Sequence, residues 1–78
     1  MKEYVIFGAG MMAETAIKLL GKERIEYIVD NDRSKSGKLL DDIRVFAYTE
    51  KMHVLGKYTI IIAVSEKYCD EIEQQLLL

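Results

Sequence analysis

The sequence contains a single cysteine, Cys69, and so can form no disulfide bond within the chain. Disulfides are typical of oxidising compartments, so we expect a reducing setting and a cytoplasmic protein. The longest uninterrupted apolar run, residues 60–64, is far shorter than the ~20 residues that a membrane-spanning helix needs. The apolar residues between Lys2 and Gly8 are too few for the core of a secretion signal. We therefore expect neither a membrane span nor a leader.

The chain also has no excess of positive charge. It contains 11 lysines and arginines and 13 aspartates and glutamates, which gives a net charge of −2. A nucleic-acid-binding domain concentrates basic residues on one face, so we expect no DNA or RNA partner. The single histidine, His53, has no cysteine, aspartate or second histidine at ligand spacing, and we predict no metal site. The patterns Tyr-x-x-x-Lys, Gly-x-Ser-x-Gly and Gly-Lys-Ser/Thr are absent, so we assign no catalytic residue and do not expect the isolated chain to be an enzyme.

The most informative motif follows the apolar residues 4–7 and reads Gly8-Ala9-Gly10-Met11-Met12-Ala13, which is the pattern Gly-x-Gly-x-x-Ala. In dinucleotide-binding folds the first glycine permits a tight turn, the second lets the backbone approach a phosphate, and the small third residue lets the helix pack on the strand. The helix N-terminus that follows favours an anion. We therefore predict phosphate binding by Gly8, Ala9, Gly10, Met11 and Met12. The alternative is a tight turn that binds nothing.

Two further chain positions belong to the same prediction. Asp30 ends the second apolar run, where a carboxylate accepts hydrogen bonds from ribose hydroxyls and repels a 2′-phosphate. Asn31 and Asp32 add polar groups beside it. The alternative for all three side chains, Asp30 included, is an Asx turn in which they cap their own backbone. Ser65 follows the last apolar run and is expected beside the glycine loop, with a helix N-cap as its alternative role.

Short apolar runs alternate with stretches of helical periodicity, which predicts an α/β fold. We predict a Rossmann-like half: three layers, with a four-stranded parallel sheet in the order 3-2-1-4 and helices on both faces. The chain is expected to form one domain, residues 1–78, without the half that usually shapes a nicotinamide pocket. The predicted strands lie at about residues 3–7, 25–29, 44–46 and 58–64. The predicted helices lie at about 11–20, at 50–55 with Thr49 as N-cap, and beyond Ser65.

The leucines Leu76, Leu77 and Leu78 suggest that this end packs on something else. We expect either that the domain belongs to a longer protein or that it buries this end in a homodimer. Met11 and Met12 add a second candidate surface for a partner domain or a second copy, since methionine adapts to irregular surfaces.

Taken together, residues 6–10, 28–32, 35–38, 43–45 and 60–65 resemble the small Rossmann-like domains of bacterial surface-polysaccharide enzymes. These include the N-terminal domains of sugar O- and N-acyltransferases, the first domain of nucleoside-diphosphate-sugar epimerases and dehydratases, and modules that accompany lipopolysaccharide and capsule transferases. The resemblance implies a nucleotide-sugar or NAD(H) held against Gly8, Gly10, Asp30 and the last strand, with catalysis in an attached domain. Two alternatives remain open: a regulatory domain that senses NAD(H) or an adenine nucleotide, and a protein-interaction domain with a vestigial glycine loop.

Overall fold

The computed structural model describes residues 2–77, which form one five-stranded sheet and three α-helices. The sheet order is β3-β4-β2-β1-β5; β4, β2, β1 and β5 run parallel, and β3 pairs antiparallel with β4 at one edge. The strands are β1 (Tyr4–Phe7), β2 (Ile25–Asp30), β3 (Leu39–Leu40), β4 (Ile43–Ala47) and β5 (Thr59–Ile62). The helices are α1 (Met11–Leu20), α2 (Tyr48–Lys51) and α3 (Glu66–Leu76).

Side chains of the central strands alternate between two hydrophobic clusters, one on each face of the sheet. On one face, Ile6 and Ile28 pack against Ala13 and Ile17 of α1. On the other face, the cluster joins β1 and β2 to Ile72 of α3 and to the segment that follows α2. Burial on both faces is the arrangement expected of parallel strands. The sheet is therefore a middle layer between helices, as the sequence predicts.

Helix α1 has the bounds predicted from the sequence. Ala13 and Ile17 lie four residues apart and are buried, while Glu14 and Lys18 on the opposite side are exposed. The helix follows Gly10 directly and ends at Gly21, whose N–H donates to the carbonyl of Ile17. Its N-terminus consequently lies at the edge of the sheet where β1 ends.

The mixed α/β class and the mostly parallel sheet are confirmed, but the predicted count of four strands is wrong. The predicted order 3-2-1-4 omits β3, a two-residue strand joined to β4 by the turn Asp41-Asp42. Both turn residues have positive φ, 53° and 68°, as the type I′ turn of two-residue hairpin loops requires. Asparagine and glycine are the usual residues in such turns, and their absence here hides the hairpin in the sequence.

The N-cap predictions also need correction. Helix α2 begins at Tyr48 and ends at Lys51, so Thr49 lies inside it and His53 lies beyond it. The carboxylate of Glu50 instead accepts the N–H of Ala47 at 2.8 Å and so satisfies one donor at the start of α2. Ser65 does occupy the N-cap position of α3, but its side chain makes no capping hydrogen bond. Among residues 2–77, no helix is long and apolar enough to cross a bilayer.

Candidate functional site

The predicted site residues meet at the carboxyl edge of the sheet. An open cleft of about 530 Å³ lies between the loop after β1, the end of β2 and the start of α3, within the size range of small-molecule sites. Seven of the nine predicted residues line it: Gly8, Ala9, Gly10, Met11, Met12, Asp30 and Ser65. The other two, Asn31 and Asp32, line an adjoining cleft of about 320 Å³ that shares Gly8 and Asp30.

Gly8 and Gly10 of the loop differ in backbone conformation and in the space around them. Gly8 has φ +114°, and a Cβ atom there would lie 2.5 Å from the carbonyl oxygen of Ala63, so the turn itself requires glycine. Gly10 has an ordinary extended backbone, and a Cβ atom there would meet nothing within 4 Å. No steric contact requires glycine at position 10, although glycine is a favourable N-cap residue for α1. An approaching ligand would benefit from the missing side chain.

The N-terminus of α1 presents donors at this point. Ala13 N–H donates to the carbonyl of Gly10, whereas the N–H groups of Gly10, Met11 and Met12 have no acceptor among residues 2–77. Unsatisfied N–H groups in the first turn carry the positive end of the helix dipole. This geometry suits a phosphate or another small anion.

Asp30 connects the end of β2 to the glycine loop. Its Oδ2 accepts the N–H of Ala9 at 2.8 Å, and its Oδ1 accepts the N–H of Asp32 at 2.8 Å. The ammonium group of Lys35 lies 3.8 Å from Oδ2. A carboxylate has about four acceptor positions, and the Asp30 side chain is 16% exposed. The carboxylate thus retains capacity for a hydroxyl donor from a ligand.

The neighbours of Asp30 serve local structure. Asp32 accepts both the N–H and the hydroxyl of Ser34, which lowers the pKa of the Asp32 carboxyl. The side chains of Asn31 and Gln75 exchange two hydrogen bonds, at 3.0 and 2.9 Å, and thereby fasten the end of β2 to α3. The turn-forming alternative therefore describes both Asp30 and Asp32, each of which accepts the N–H two residues further along the chain. The Asn31 side chain instead connects the end of β2 to α3.

Ser65 is exposed beside the cleft. The structure gives its side chain no capping bond, while its carbonyl accepts the N–H of Tyr68 at 2.8 Å. The Sγ of Cys69 lies 3.7 Å from the carbonyl of Val64 and 3.6 Å from that of Ser65, where the half-buried thiol donates. Ser65 therefore lines the cleft with a side chain that makes no capping hydrogen bond.

Four residues that line the cleft were not among the predicted site residues: Ala63 and Val64, at the end of the last predicted strand, and Lys35 and Tyr68. Lys35 reaches Asp30 because the polar loop after β2 bends back in a short 3-10 turn, Arg33–Lys35, a path that the sequence does not reveal. Tyr68, 47% exposed, lies in the first turn of α3. Ligands of parallel α/β sheets bind beyond the carboxyl ends of the strands, which is why Ser65 was predicted. Applying the same rule to the whole first turn of α3 would have identified Tyr68.

The candidate partner surfaces are only partly described. Met11 and Met12 are 83% and 50% exposed at the mouth of the cleft. At the chain's end, Leu76 packs on the α3 side of the core and Leu77 is 74% exposed, whereas Leu78 lies outside the described residues. Within residues 2–77, no group of three or more His, Cys, Asp and Glu side chains forms a candidate metal site.

A comparison with known families gives a match over the whole chain. A family model described as "C2185-like, N-terminal" matches residues 1–78, the whole of the chain. No curated protein matches the sequence.

Proposed function

We propose that this chain, which belongs to the C2185-like N-terminal family, binds a nucleoside diphosphate, either as a nucleotide-sugar or as NAD(H). The diphosphate would lie against Gly10 and the first turn of α1, and a ribose hydroxyl would donate to Asp30. As the resemblance to polysaccharide-enzyme domains implies, the module would hold the ligand for an attached or associated catalytic unit.

The observation that carries the proposal is the contrast between Gly8 and Gly10. Gly8 is explained by its positive φ and by the nearby Ala63 carbonyl, but no described residue comes within 4 Å of a Cβ atom at Gly10. A glycine that no steric contact requires, next to free N–H groups at a helix N-terminus, is the arrangement by which dinucleotide folds admit a pyrophosphate.

Charge at the cleft supports a diphosphate as well. Asp30 alone would repel an anion, but Lys35 lies 3.8 Å from its carboxylate and is the cation that lines this cleft. With Lys35 offsetting Asp30, the partial positive charge of the helix N-terminus remains for the phosphate. Asp30 then stays an acceptor for ribose without making the whole cleft negative.

The cleft walls suit the flat, apolar part of a nucleotide. Met11, Met12, Val64 and Tyr68 surround the opening. Methionine thioethers and an aromatic ring both stack favourably on heterocycles, and methionine adapts to different ring shapes. These side chains support binding of a base or nicotinamide without selecting one.

A thermal-shift screen tests the proposal with NAD, NADH, ATP, UDP, UDP-GlcNAc and dTDP-glucose. A ligand at 100 times its dissociation constant stabilises the fold by about 2.7 kcal/mol, which is readily detected in a domain of this size. A shift confined to uridine or thymidine diphosphosugars supports a nucleotide-sugar module, and a shift confined to NAD(H) or ATP supports a cofactor sensor. No shift with any of the six would contradict the proposal.

One observation favours a second candidate function, contact with a partner protein. Met11 is 83% exposed and Met12 is 50% exposed on adjacent positions of the same helical turn, and exposed methionines are common on adaptable binding surfaces. Under this alternative the glycine loop shapes the surface and binds no nucleotide. Replacing Met11 by Glu would then abolish association while nucleotides have no effect on the wild-type midpoint.

A further inference from the structure

A second cleft lies apart from the glycine loop. It has a volume of about 440 Å³ and is formed by β2, by β4 and by the segment from α2 to the residue before β5. Its lining residues are Glu26, Tyr27, Arg44, Phe46, Lys51, Val54, Lys57 and Tyr58. None of these residues lines the glycine-loop cleft, so the two clefts are separate sites.

The second cleft concentrates positive charge in a chain that is acidic as a whole. Arg44, Lys51 and Lys57 line it together with a single carboxylate, that of Glu26, which leaves a local charge of +2. Within the part of the chain that the structure describes, none of the three cations has an acidic partner within 4.0 Å. A net charge of +2 matches a phosphate monoester dianion better than a single carboxylate.

Aromatic contacts hold one of these cations in place. The ammonium group of Lys51 lies 4.3 Å from the ring centroid of Phe46 and 5.1 Å from that of Tyr27. The Tyr27 ring in turn meets Phe46 and Tyr58 edge-on, at 5.3 and 5.7 Å between centroids. A cation ordered by aromatic faces loses less freedom when it binds an anion than a freely rotating lysine does.

Tyr27, which lines the cleft, carries a polar atom without a partner. Tyr27 is only 6% exposed, and its hydroxyl is buried without any hydrogen bond among residues 2–77. Burial raises the pKa of this hydroxyl, with smaller contributions from Tyr58 and Glu26, so it remains a donor at neutral pH. Buried polar groups in native proteins are nearly always paired, so an unpaired donor indicates a missing acceptor.

We propose that this second cleft binds the phosphate group of a small organic ligand, with Arg44, Lys51 and Lys57 as counter-charges and the Tyr27 hydroxyl as a hydrogen-bond donor. Guanidinium and ammonium groups together are a common phosphate-binding combination. The half-buried rings of Phe46 and Tyr58 favour a ligand whose phosphate is attached to a ring. This site is independent of the nucleotide proposed for the glycine loop.

Titration of the ¹⁵N-labelled chain with phenyl phosphate, followed by amide chemical shifts, tests the proposal. We expect saturable shifts at Lys51, Lys57 and Tyr58, and binding at least tenfold tighter than that of benzoate at equal ionic strength. Shifts confined to Gly10, Met11 and Met12 would place the phosphate in the glycine loop and overturn the second site. Shifts that do not saturate, or that chloride reproduces, would overturn it too.

Three variants locate the ligand. Lys51→Gln should weaken the binding of phenyl phosphate about tenfold. Lys18→Gln, at an exposed position of α1, should leave the affinity for phenyl phosphate unchanged. Equal losses of affinity in the two variants would contradict a localised site. Tyr27→Phe removes only the unpaired hydroxyl, so the free protein should be at least as stable while phosphate binding weakens several-fold. Unchanged affinity of Tyr27→Phe, checked by the same amide shifts, would overturn the assignment of this hydroxyl as a donor.

Discussion

The carboxylate of Asp30 accepts a hydrogen bond from the backbone N–H of Ala9 at 2.8 Å, across the gap between the first two parallel strands. This bond joins the acidic tip of β2 to the turn of the glycine loop, so the two parts of the fingerprint are in direct contact. It also removes Ala9 from the set of phosphate donors and leaves those of Gly10, Met11 and Met12. Asp30 is therefore both a structural tie and the candidate ribose acceptor.

Replacing Asp30 by Ala should lower the stability of the fold. The N–H groups of Ala9 and Asp32 would lose their acceptor, and we expect a loss of about 1–3 kcal/mol in the free energy of unfolding. Chemical denaturation measures this loss, with Asp32→Ala as the control that removes an exposed turn cap. A stability equal to that of wild type would show that the Ala9 bond is not formed in solution.

Replacement by alanine should destabilise the protein much more at Gly8 than at Gly10. Gly8→Ala places a Cβ atom 2.5 Å from a backbone oxygen at φ +114°, and we expect a loss of at least about 2 kcal/mol of stability. Gly10→Ala meets no atom within 4 Å and costs only the poorer N-cap preference of alanine, so it should stay within about 1 kcal/mol of wild type. Denaturant midpoints of both variants test this difference; similar losses would remove the argument that Gly10 is kept for a ligand.

Lys35→Gln should weaken a diphosphate ligand without unfolding the loop. The ammonium group lies 3.8 Å from Asp30 at a partly exposed position, so its contribution to stability is small. Loss of the positive charge leaves Asp30 uncompensated beside the phosphate, and we expect about tenfold weaker binding, or about 1.4 kcal/mol. Calorimetric titration at two salt concentrations measures the affinity of wild type, Lys35→Gln and the neighbouring control Lys38→Gln for the ligand. If the two variants weaken binding equally, Lys35 contributes only to the general charge of the protein.

Acid should destabilise the segment around α2 in a way that depends on Glu50. Hydrogen bonds from the Ser36 hydroxyl and the Ala47 N–H hold the pKa of Glu50 below its ordinary value of 4.5. The stability that this carboxylate contributes is thus fully present above pH 4.5 and is lost as the pH falls through the lowered pKa. Thermal midpoints between pH 6 and about 3 should fall less steeply for Glu50→Gln than for wild type. Glu73→Gln, which removes an exposed carboxylate, should retain the wild-type slope.

Much of this architecture was predictable because its signals are local. Helix α1 is bounded by Gly10 and Gly21, and its buried positions recur at helical spacing, so its bounds follow from the sequence alone. The β3–β4 hairpin was not predictable, because Asp41 and Asp42 adopt positive φ without the glycine or asparagine that usually marks such a turn.

The candidate site likewise contains residues that the sequence predicts and residues that it does not. Gly8, Gly10 and Asp30 follow from a motif whose spacing encodes strand, turn and helix. The position of Lys35 depends on how the eight-residue loop 31–38 folds back after β2; this loop would span ~28 Å if extended, and no local pattern fixes its path. The clamp between Asn31 and Gln75 joins residues 44 positions apart, which only the packing of α3 determines.

Binding of nucleoside diphosphates to Gly10→Val tests the central claim most directly. Isothermal calorimetry would compare wild type, Gly10→Val and Gly56→Val, because a Cβ atom at either glycine meets nothing within 4 Å and Gly56 lies outside the cleft. We predict that wild type and Gly56→Val bind the ligand that raised the thermal midpoint, and that Gly10→Val remains folded but does not bind it. Equal affinity in all three proteins would contradict a phosphate at the glycine loop.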